Sequence, residues 1–143
     1  MAAIHLPKKT KLSLDAARQI AAAAESVAKE KGLNKLALVI VDDGGYIIHA
    51  LRLDGALPAT VDVCLAKARA AAMLGRPTKF WRELVNGGQM WPVRMPFVVS
   101  AEGGLPLIVG GEVIGGLGVG GATGEEDRLV ADAGVAVLAG ADS

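Results

Sequence analysis

The sequence predicts an α+β domain in which a five-stranded antiparallel sheet is flanked by helices. This prediction depends on three glycine pairs, at positions 44–45, 103–104 and 110–111, that separate apolar runs of strand length. Glycine supplies the backbone conformations of tight hairpin turns, so each pair predicts that the chain reverses between neighbouring strands. Because no β-α-β unit repeats, a doubly wound parallel sheet is disfavoured. The 143 residues are expected to form one domain, with residues 1–12 as an N-terminal arm.

The predicted order of elements is α-β-β-α-(α)-β-β-β-α. Ser13 can cap a first helix that ends at Gly32. Leu36–Val41 is apolar at every position, which is typical of a central strand covered on both faces. Asp43-Gly44-Gly45 then predicts a two-residue hairpin turn, and Tyr46–Leu53 has the length and composition of a strand. These two strands are therefore expected to pair antiparallel.

A second helix is expected to begin near Pro58 and to end before Gly75 and Pro77. The segment that follows, residues 79–97, differs from the rest of the chain because it holds four of the five aromatic side chains. A short amphipathic helix followed by an aromatic lid or rim is one interpretation of this segment. The alternative is that its large side chains plug the end of an alanine-rich core or form a subunit contact.

Three further strands, Phe97–Ser100, Leu105–Val109 and Glu112–Val119, are expected to form a meander. Residues 123–126 have the T-x-x-E pattern of a capping box, which predicts a last helix that extends to Gly140.

Glycine recurs in and after the last predicted strand, at positions 115, 116, 118, 120 and 121. Glycine weakens a strand interior, so it usually marks the close approach of another backbone or of a ligand. Gly116-x-Gly118-x-x-Gly121 can be aligned with a dinucleotide fingerprint. That match is weak, because the expected acidic residue and the β-α-β unit are both missing.

Composition excludes several classes of function. Lys plus Arg equals Asp plus Glu at 15 each, so nucleic acid is not an expected partner. No apolar run approaches the ~20 residues that cross a bilayer, and the lone Cys64 favours a reducing compartment, so a cytoplasmic protein is expected. Because 52% of the residues are hydrophobic and 19 are glycine, part of an apolar face is expected to be buried in a homo-oligomer.

Four polar residues are candidates for catalysis: Asp42, Arg52 and Lys67 around the predicted hairpin and second helix, and Glu102 near a later turn. A lysine in an apolar helix can act as a base or bind a carbonyl group, whereas its commoner role is to pair with a carboxylate. The chain has two histidines and one cysteine, from which no metal site is expected.

Several separated motifs resemble the GlcG/HbpS family, which is related to the C-terminal domain of PduO-type corrinoid adenosyltransferases. The motifs occur in order between residues 14 and 140 and read VVDDGG to LDGA, VDVCLAKARAAAMLGRPT, GGLPLIVGGEVIGGLGVGGA and EEDRLVADAG. The resemblance implies a profilin-like or roadblock-like sheet flanked by helices and a homo-oligomeric assembly. It also implies a small-molecule ligand, with haem or a corrinoid as the candidate cofactor, and an association with the catabolism of small oxygenated compounds.

The family's D-x-G-G-H turn has Tyr46 where a histidine is common, and the first helix lacks the histidine found in some relatives. The residues expected to contact a cofactor are Tyr46, His49, Trp91 and Arg94. Tyr46 and His49 cannot easily serve one iron, because they are expected on different faces of the second strand. Any haem is therefore expected to bind weakly and to depend on one of them.

Three functions are consistent with the sequence. The first is a small-molecule-binding protein with a pocket between the hairpin, the second helix and the aromatic segment. The second is a cofactor-free isomerase, tautomerase or lyase, in which Lys67, Arg52 and Arg94 bind oxygen atoms of a small carboxylate or carbonyl compound and Asp42 or Glu102 moves a proton. The third is a structural accessory subunit.

Overall fold

An antiparallel sheet lies at the centre of the computed structural model, which describes residues 1–141. Within these residues the sheet has four strands in the order β2-β1-β4-β3, and every neighbouring pair is antiparallel. The strands are β1 (Ala37–Asp42), β2 (Ile47–Arg52), β3 (Gly104–Val109) and β4 (Glu112–Gly120). The predicted α+β class is thus confirmed, whereas the predicted number of five strands is not.

Within residues 1–141, four α-helices flank the sheet: α1 (Leu14–Glu30), α2 (Thr60–Leu74), α3 (Thr78–Asn86) and α4 (Gly124–Val135). A short 3-10 helix at Trp91–Arg94 follows α3, and a second one at Ala136–Leu138 follows α4. Helix α1 begins where the sequence predicts, because the Ser13 hydroxyl accepts a hydrogen bond from the Ala16 amide. The capping box that opens α4 is also confirmed. The α-helical conformation of α4 ends at Val135, before the predicted Gly140.

The segment Phe97–Ser100 does not form the predicted fifth strand. Phe97 has a φ of 67°, a left-handed backbone conformation that a β-strand does not accommodate. The glycine pair at 103–104 is not a hairpin turn either, since Gly104 is the first residue of β3. A Cβ at Gly104 would lie 2.6 Å from the Lys67 carbonyl oxygen, so glycine is needed here for contact with α2.

The turn between β1 and β2 is one residue longer than predicted. The Asp42 amide donates to the Tyr46 carbonyl, and the Gly45 amide donates to the Asp42 carbonyl. Residues 43–45 therefore form a three-residue loop in which Gly45 has a φ of 85°. Such loops end on a residue in the left-handed conformation, which glycine adopts without strain.

Helices cover both faces of the sheet. On one face, Leu38 and Ile40 of β1 belong to a core with residues of α1 and α4. On the other face, Val39 and Val41 pack against α2. This confirms the prediction that the first strand is central and covered on both sides.

Helix α2 lies unusually close to the sheet because β4 presents glycine to it. A Cβ at Gly116 would overlap the Ala68 carbonyl oxygen, and a Cβ at Gly118 would overlap the carbonyl oxygen of Cys64. The glycines of β4 thus allow the backbone of α2 to approach the sheet closely. Close approach of another backbone was one of the two explanations that the sequence suggested for these glycines, and close approach of a ligand was the other.

Candidate functional site

An open groove lies between the β1–β2 hairpin and the outer side of α2. Its volume is about 430 Å³, and a second depression of about 220 Å³ adjoins it on the side of the aromatic segment. Arg69 lines both, so we treat the two as one site and call it the Arg69 groove. The residues that line it are Gly45, Tyr46, Ile47, Leu65, Ala66, Arg69, Phe97, Val98 and Val99.

The hairpin loop is shaped by the Asp42 side chain. Its Oδ1 accepts hydrogen bonds from the Gly44 amide at 2.9 Å and from the Tyr46 amide at 3.0 Å. These bonds hold the backbone of Tyr46 at the rim of the groove, where its side chain is 73% exposed. Asp42, a predicted catalytic residue, therefore has a conformational role that places Tyr46.

The loop also contacts α2 closely. A Cβ at Gly45 would lie 2.8 Å from the Met73 sulfur and 3.2 Å from Arg69 Nε. Glycine at position 45 thus serves the turn and the contact with the helix at the same time. The position of the hairpin, and with it the width of the groove, depends on this contact.

Arg69 is the residue on which the two depressions converge. Its Nε is buried and has no hydrogen-bond partner within residues 1–141. Its guanidinium carbon lies 5.4 Å from the centroid of the Phe97 ring, within the range of a cation–π interaction. A buried N–H without an acceptor lowers the stability of a folded protein, so such groups are rare. The Nε–H of Arg69, which is unpaired in the described part of the chain, therefore distinguishes this groove from the other depressions.

Tyr46 lines the groove, whereas His49 lies on the other face of the sheet. Ile47, which follows Tyr46, pairs with Val41 and lines the groove on the α2 side. His49 pairs with Ile40, whose side chain lies in the core with α1 and α4. Cross-strand partners share a face of a sheet, so His49 points away from the groove. Among the candidate iron ligands of the hairpin, Tyr46 alone lines it.

Lys67 points into the protein rather than into the groove. It is 4% exposed, and its ammonium donates to the Val119 carbonyl at 2.9 Å and to Asp127 Oδ2 at 3.2 Å. The Ala122 amide donates to the other Asp127 oxygen. Burial raises the pKa of the Asp127 carboxyl, and the Lys67 ammonium opposes that increase. This arrangement is the carboxylate pairing that is common for a lysine in an apolar helix.

The remaining predicted residues lie outside the groove. Buried Glu102 forms an ion pair with the partly exposed Arg82. Arg52 is exposed at the end of β2 opposite to the hairpin loop. Trp91 and Arg94 are exposed in the first 3-10 helix, and the Trp91 ring meets the ring of Trp81 edge-on at 6.3 Å. The structure therefore brings Tyr46 into the groove but does not unite the four predicted catalytic residues there.

Arg69 was not predicted as a site residue. The available signal was its spacing on α2, because it lies four residues after Leu65 and therefore on the same side of the helix. The contacts with Gly45 and Phe97 bring together segments that are distant in sequence, and no local pattern indicated them.

Two other depressions occur at the opposite end of the sheet, around the loop between α1 and β1. Their volumes are about 460 and 400 Å³, and both contain Gly32, Leu33 and Asn34. Neither contains a buried polar side-chain atom that lacks a partner. We therefore consider the Arg69 groove the better candidate.

Two classes of feature are missing from residues 1–141. No helix there has the length and apolar character to cross a membrane. The same residues contain no group of three or more His, Cys, Asp and Glu side chains that could hold a metal ion.

Known proteins resemble this chain over most of its length. Residues 12–136 match the family described as "Haem degrading protein HbpS-like". Protein GlcG of Escherichia coli strain K12 is 40% identical over 113 residues, which are 78% of this chain and 84% of GlcG. The crystal structure of a Streptomyces reticuli HbpS double mutant has a TM-score of 0.83 and 33% identity, and the match covers 96% of this chain and 95% of that one. The crystal structure of a PduOC–haem complex has a TM-score of 0.81 and 26% identity, with coverage of 90% and 95%.

Proposed function

Because this chain belongs to the HbpS-like family, we propose that it is a small-molecule-binding protein that binds haem in the Arg69 groove. The observation that carries the proposal is that Tyr46, an exposed residue with a phenol side chain, is one of the residues that line a groove with apolar walls. Phenolate oxygen is an established axial ligand of haem iron. A related structure, that of PduOC, was solved as a complex with haem.

The residues present in the groove fit a flat, largely apolar ligand. Ile47, Leu65, Val98 and Val99 supply aliphatic walls, and Tyr46 supplies the oxygen that would hold the iron. Bound haem would contribute an iron centre able to bind further ligands and to change redox state. The protein would hold the ring, cover one of its faces and limit the access of water.

Weak binding is expected, for two structural reasons. The groove is open to solvent, whereas tight small-molecule sites bury most of the ligand surface. In addition, Tyr46 is the sole candidate iron ligand that the hairpin presents to the groove, because His49 lies on the other face of the sheet. The direct test is a hemin titration of the wild-type protein and of Tyr46→Phe, followed by Soret absorption.

We also propose that the chain forms a homo-oligomer in which a second copy covers the exposed apolar side chains beside the groove. Five residues of the aromatic segment are large, apolar and close to half exposed: Met90, Trp91, Val93, Met95 and Phe97. Large exposed apolar surfaces are uncommon on monomeric proteins. Sedimentation velocity at micromolar concentration should show an oligomer, and a monomer would contradict this part of the proposal.

The cytoplasm is the proposed location, since the single cysteine is a free buried thiol, as is usual in reducing compartments. The proposed association with the catabolism of small oxygenated compounds is supported only by the similarity to GlcG.

A further inference from the structure

We infer that the Arg69 groove selects ligands that carry a carboxylate, and that the guanidinium of Arg69 is the group that binds it. Two sources share this chemistry: the propionate side chain of a haem and a small free carboxylic acid. The first case rests on the proposed haem function, whereas the second does not.

The Arg69 guanidinium lacks the ionic partners that other cations of the described chain have, and this supports the inference. Arg69 belongs to none of the ion pairs formed among residues 1–141, and its buried Nε–H has no acceptor in that part of the chain. By contrast, Lys67, Arg82 and Arg128 each pair with a carboxylate. An arginine presents its donors in a planar fork that matches the two oxygens of a carboxylate. Arg69 thus lines the groove as a cation that no carboxylate of residues 1–141 neutralises.

The position of Phe97 is a second, independent observation. Its φ of 67° is unfavourable for a residue with a Cβ, and such strain is concentrated at ligand clamps and switch regions. The strained conformation places the ring 5.4 Å from the Arg69 guanidinium carbon. The ring thereby shields one side of the guanidinium from water, which strengthens an ionic hydrogen bond made on another side.

The carboxylate requirement is tested first on the wild-type protein. Hemin carries two free propionates, whereas hemin dimethyl ester carries none. We expect hemin to bind roughly tenfold or more tightly than its ester, which is the range of a hydrogen bond to a charged group. Calorimetric titration with benzoate, compared with benzamide, tests a small free carboxylate.

Variants then assign the effect to Arg69. Arg69→Met removes the charge but keeps a stem of similar length, and we expect it to lose the preference for hemin over the ester. Arg69→Lys should retain part of the preference. The matched control is Arg18→Met, because Arg18 is exposed on α1, on the opposite side of the sheet. Circular dichroism confirms that each variant is folded, and the comparison of ligands on wild-type protein needs no variant.

Each outcome has a defined meaning. If hemin does not bind but benzoate binds in a manner that depends on Arg69, the haem proposal fails and the carboxylate site stands. If hemin and its ester bind wild-type protein equally, or if Arg69→Met keeps the preference, the carboxylate site is wrong while haem binding stands. If neither hemin nor benzoate binds, both are wrong.

Discussion

The α-carbon of Gly118 in β4 lies against the carbonyl oxygen of Cys64 in α2, so closely that a Cβ at position 118 would overlap that oxygen. This contact presses the backbone of a helix directly onto the backbone of the sheet. Arg69 lies five residues further along the same helix, facing the hairpin. The geometry of the groove therefore depends on a glycine that lies on the opposite side of α2.

Gly118→Ala should destabilise the protein, because α2 must move to admit the methyl group. Overpacking of a well-filled interior costs about 1–3 kcal/mol, and the contacts here are with backbone atoms, which adapt poorly. The free energy of unfolding in urea measures the effect. Gly44→Ala is the matched control, since a Cβ at Gly44 meets only side-chain atoms at ordinary contact distances, Asp42 Oδ1 at 3.4 Å and Tyr46 Cδ2 at 3.8 Å, and should change stability little. Equal stability of the two variants would contradict this account of the β4 glycines.

Lys67→Met should destabilise the protein without changing ligand affinity. The variant leaves Asp127 buried without its cation, and removing one partner of a buried ion pair costs about 3–5 kcal/mol. Urea denaturation and hemin titration measure the two effects. A variant that keeps wild-type stability but loses ligand binding or a catalytic activity would instead assign Lys67 to the site.

The cost of Lys67→Met should increase with pH. Burial raises the pKa of Asp127 above its ordinary 3.8, and Lys67 opposes this, so the variant should raise the pKa further. Protonated Asp127 is neutral and tolerates burial, which favours the folded variant at low pH. As the pH rises through the raised pKa, that advantage is lost. The difference in unfolding free energy between wild type and variant should therefore be larger at pH 8 than at pH 5, and a difference that shrinks with pH would contradict it.

Cys64 should be unreactive in the folded protein. Burial raises the pKa of its thiol to about 12, and the thiol donates a hydrogen bond to the Ala37 carbonyl at 3.1 Å. Because the thiolate is the reactive form, a disulfide reagent at pH 8 should label native protein only as fast as the structure opens. In denaturant, one thiol per chain should react at once. Rapid labelling of native protein would show that α2 separates readily from β4.

Local patterns in the sequence predicted most of the fold. The capping residues Ser13 and Thr123 and the apolar run Leu36–Val41 identify elements whose formation depends on neighbours in the chain. The predicted fifth strand was based on the apolar residues Phe97, Val98 and Val99. It was wrong because Phe97 adopts a left-handed conformation. This conformation places the Phe97 ring beside Arg69, which lies 28 residues earlier in the chain. A contact between residues so far apart in sequence cannot be predicted from local composition.

The site was less predictable than the fold. Tyr46 was predicted from the resemblance of its turn to the family's D-x-G-G-H pattern, and in the structure it is one of the residues that line the groove. Arg69 was missed because its environment is assembled from three segments, the hairpin, α2 and the end of the aromatic segment. Lys67 attracted attention because a charge in an apolar helix is unusual. Its partner, Asp127, lies 60 residues away, so the ion pair could not be identified from the sequence.

Titration of Tyr46→Phe with hemin tests the central claim most directly, with His49→Ala as the control. Wild-type protein should purify colourless and give a broad, low-affinity Soret shift on addition of hemin. Tyr46→Phe removes the oxygen that would ligate iron, so its affinity should fall about tenfold or more and its Soret band should change. His49→Ala should fold and bind hemin like wild type. If Tyr46→Phe binds hemin with an unchanged spectrum and affinity, while His49→Ala abolishes binding, the assignment of haem to the Arg69 groove is wrong.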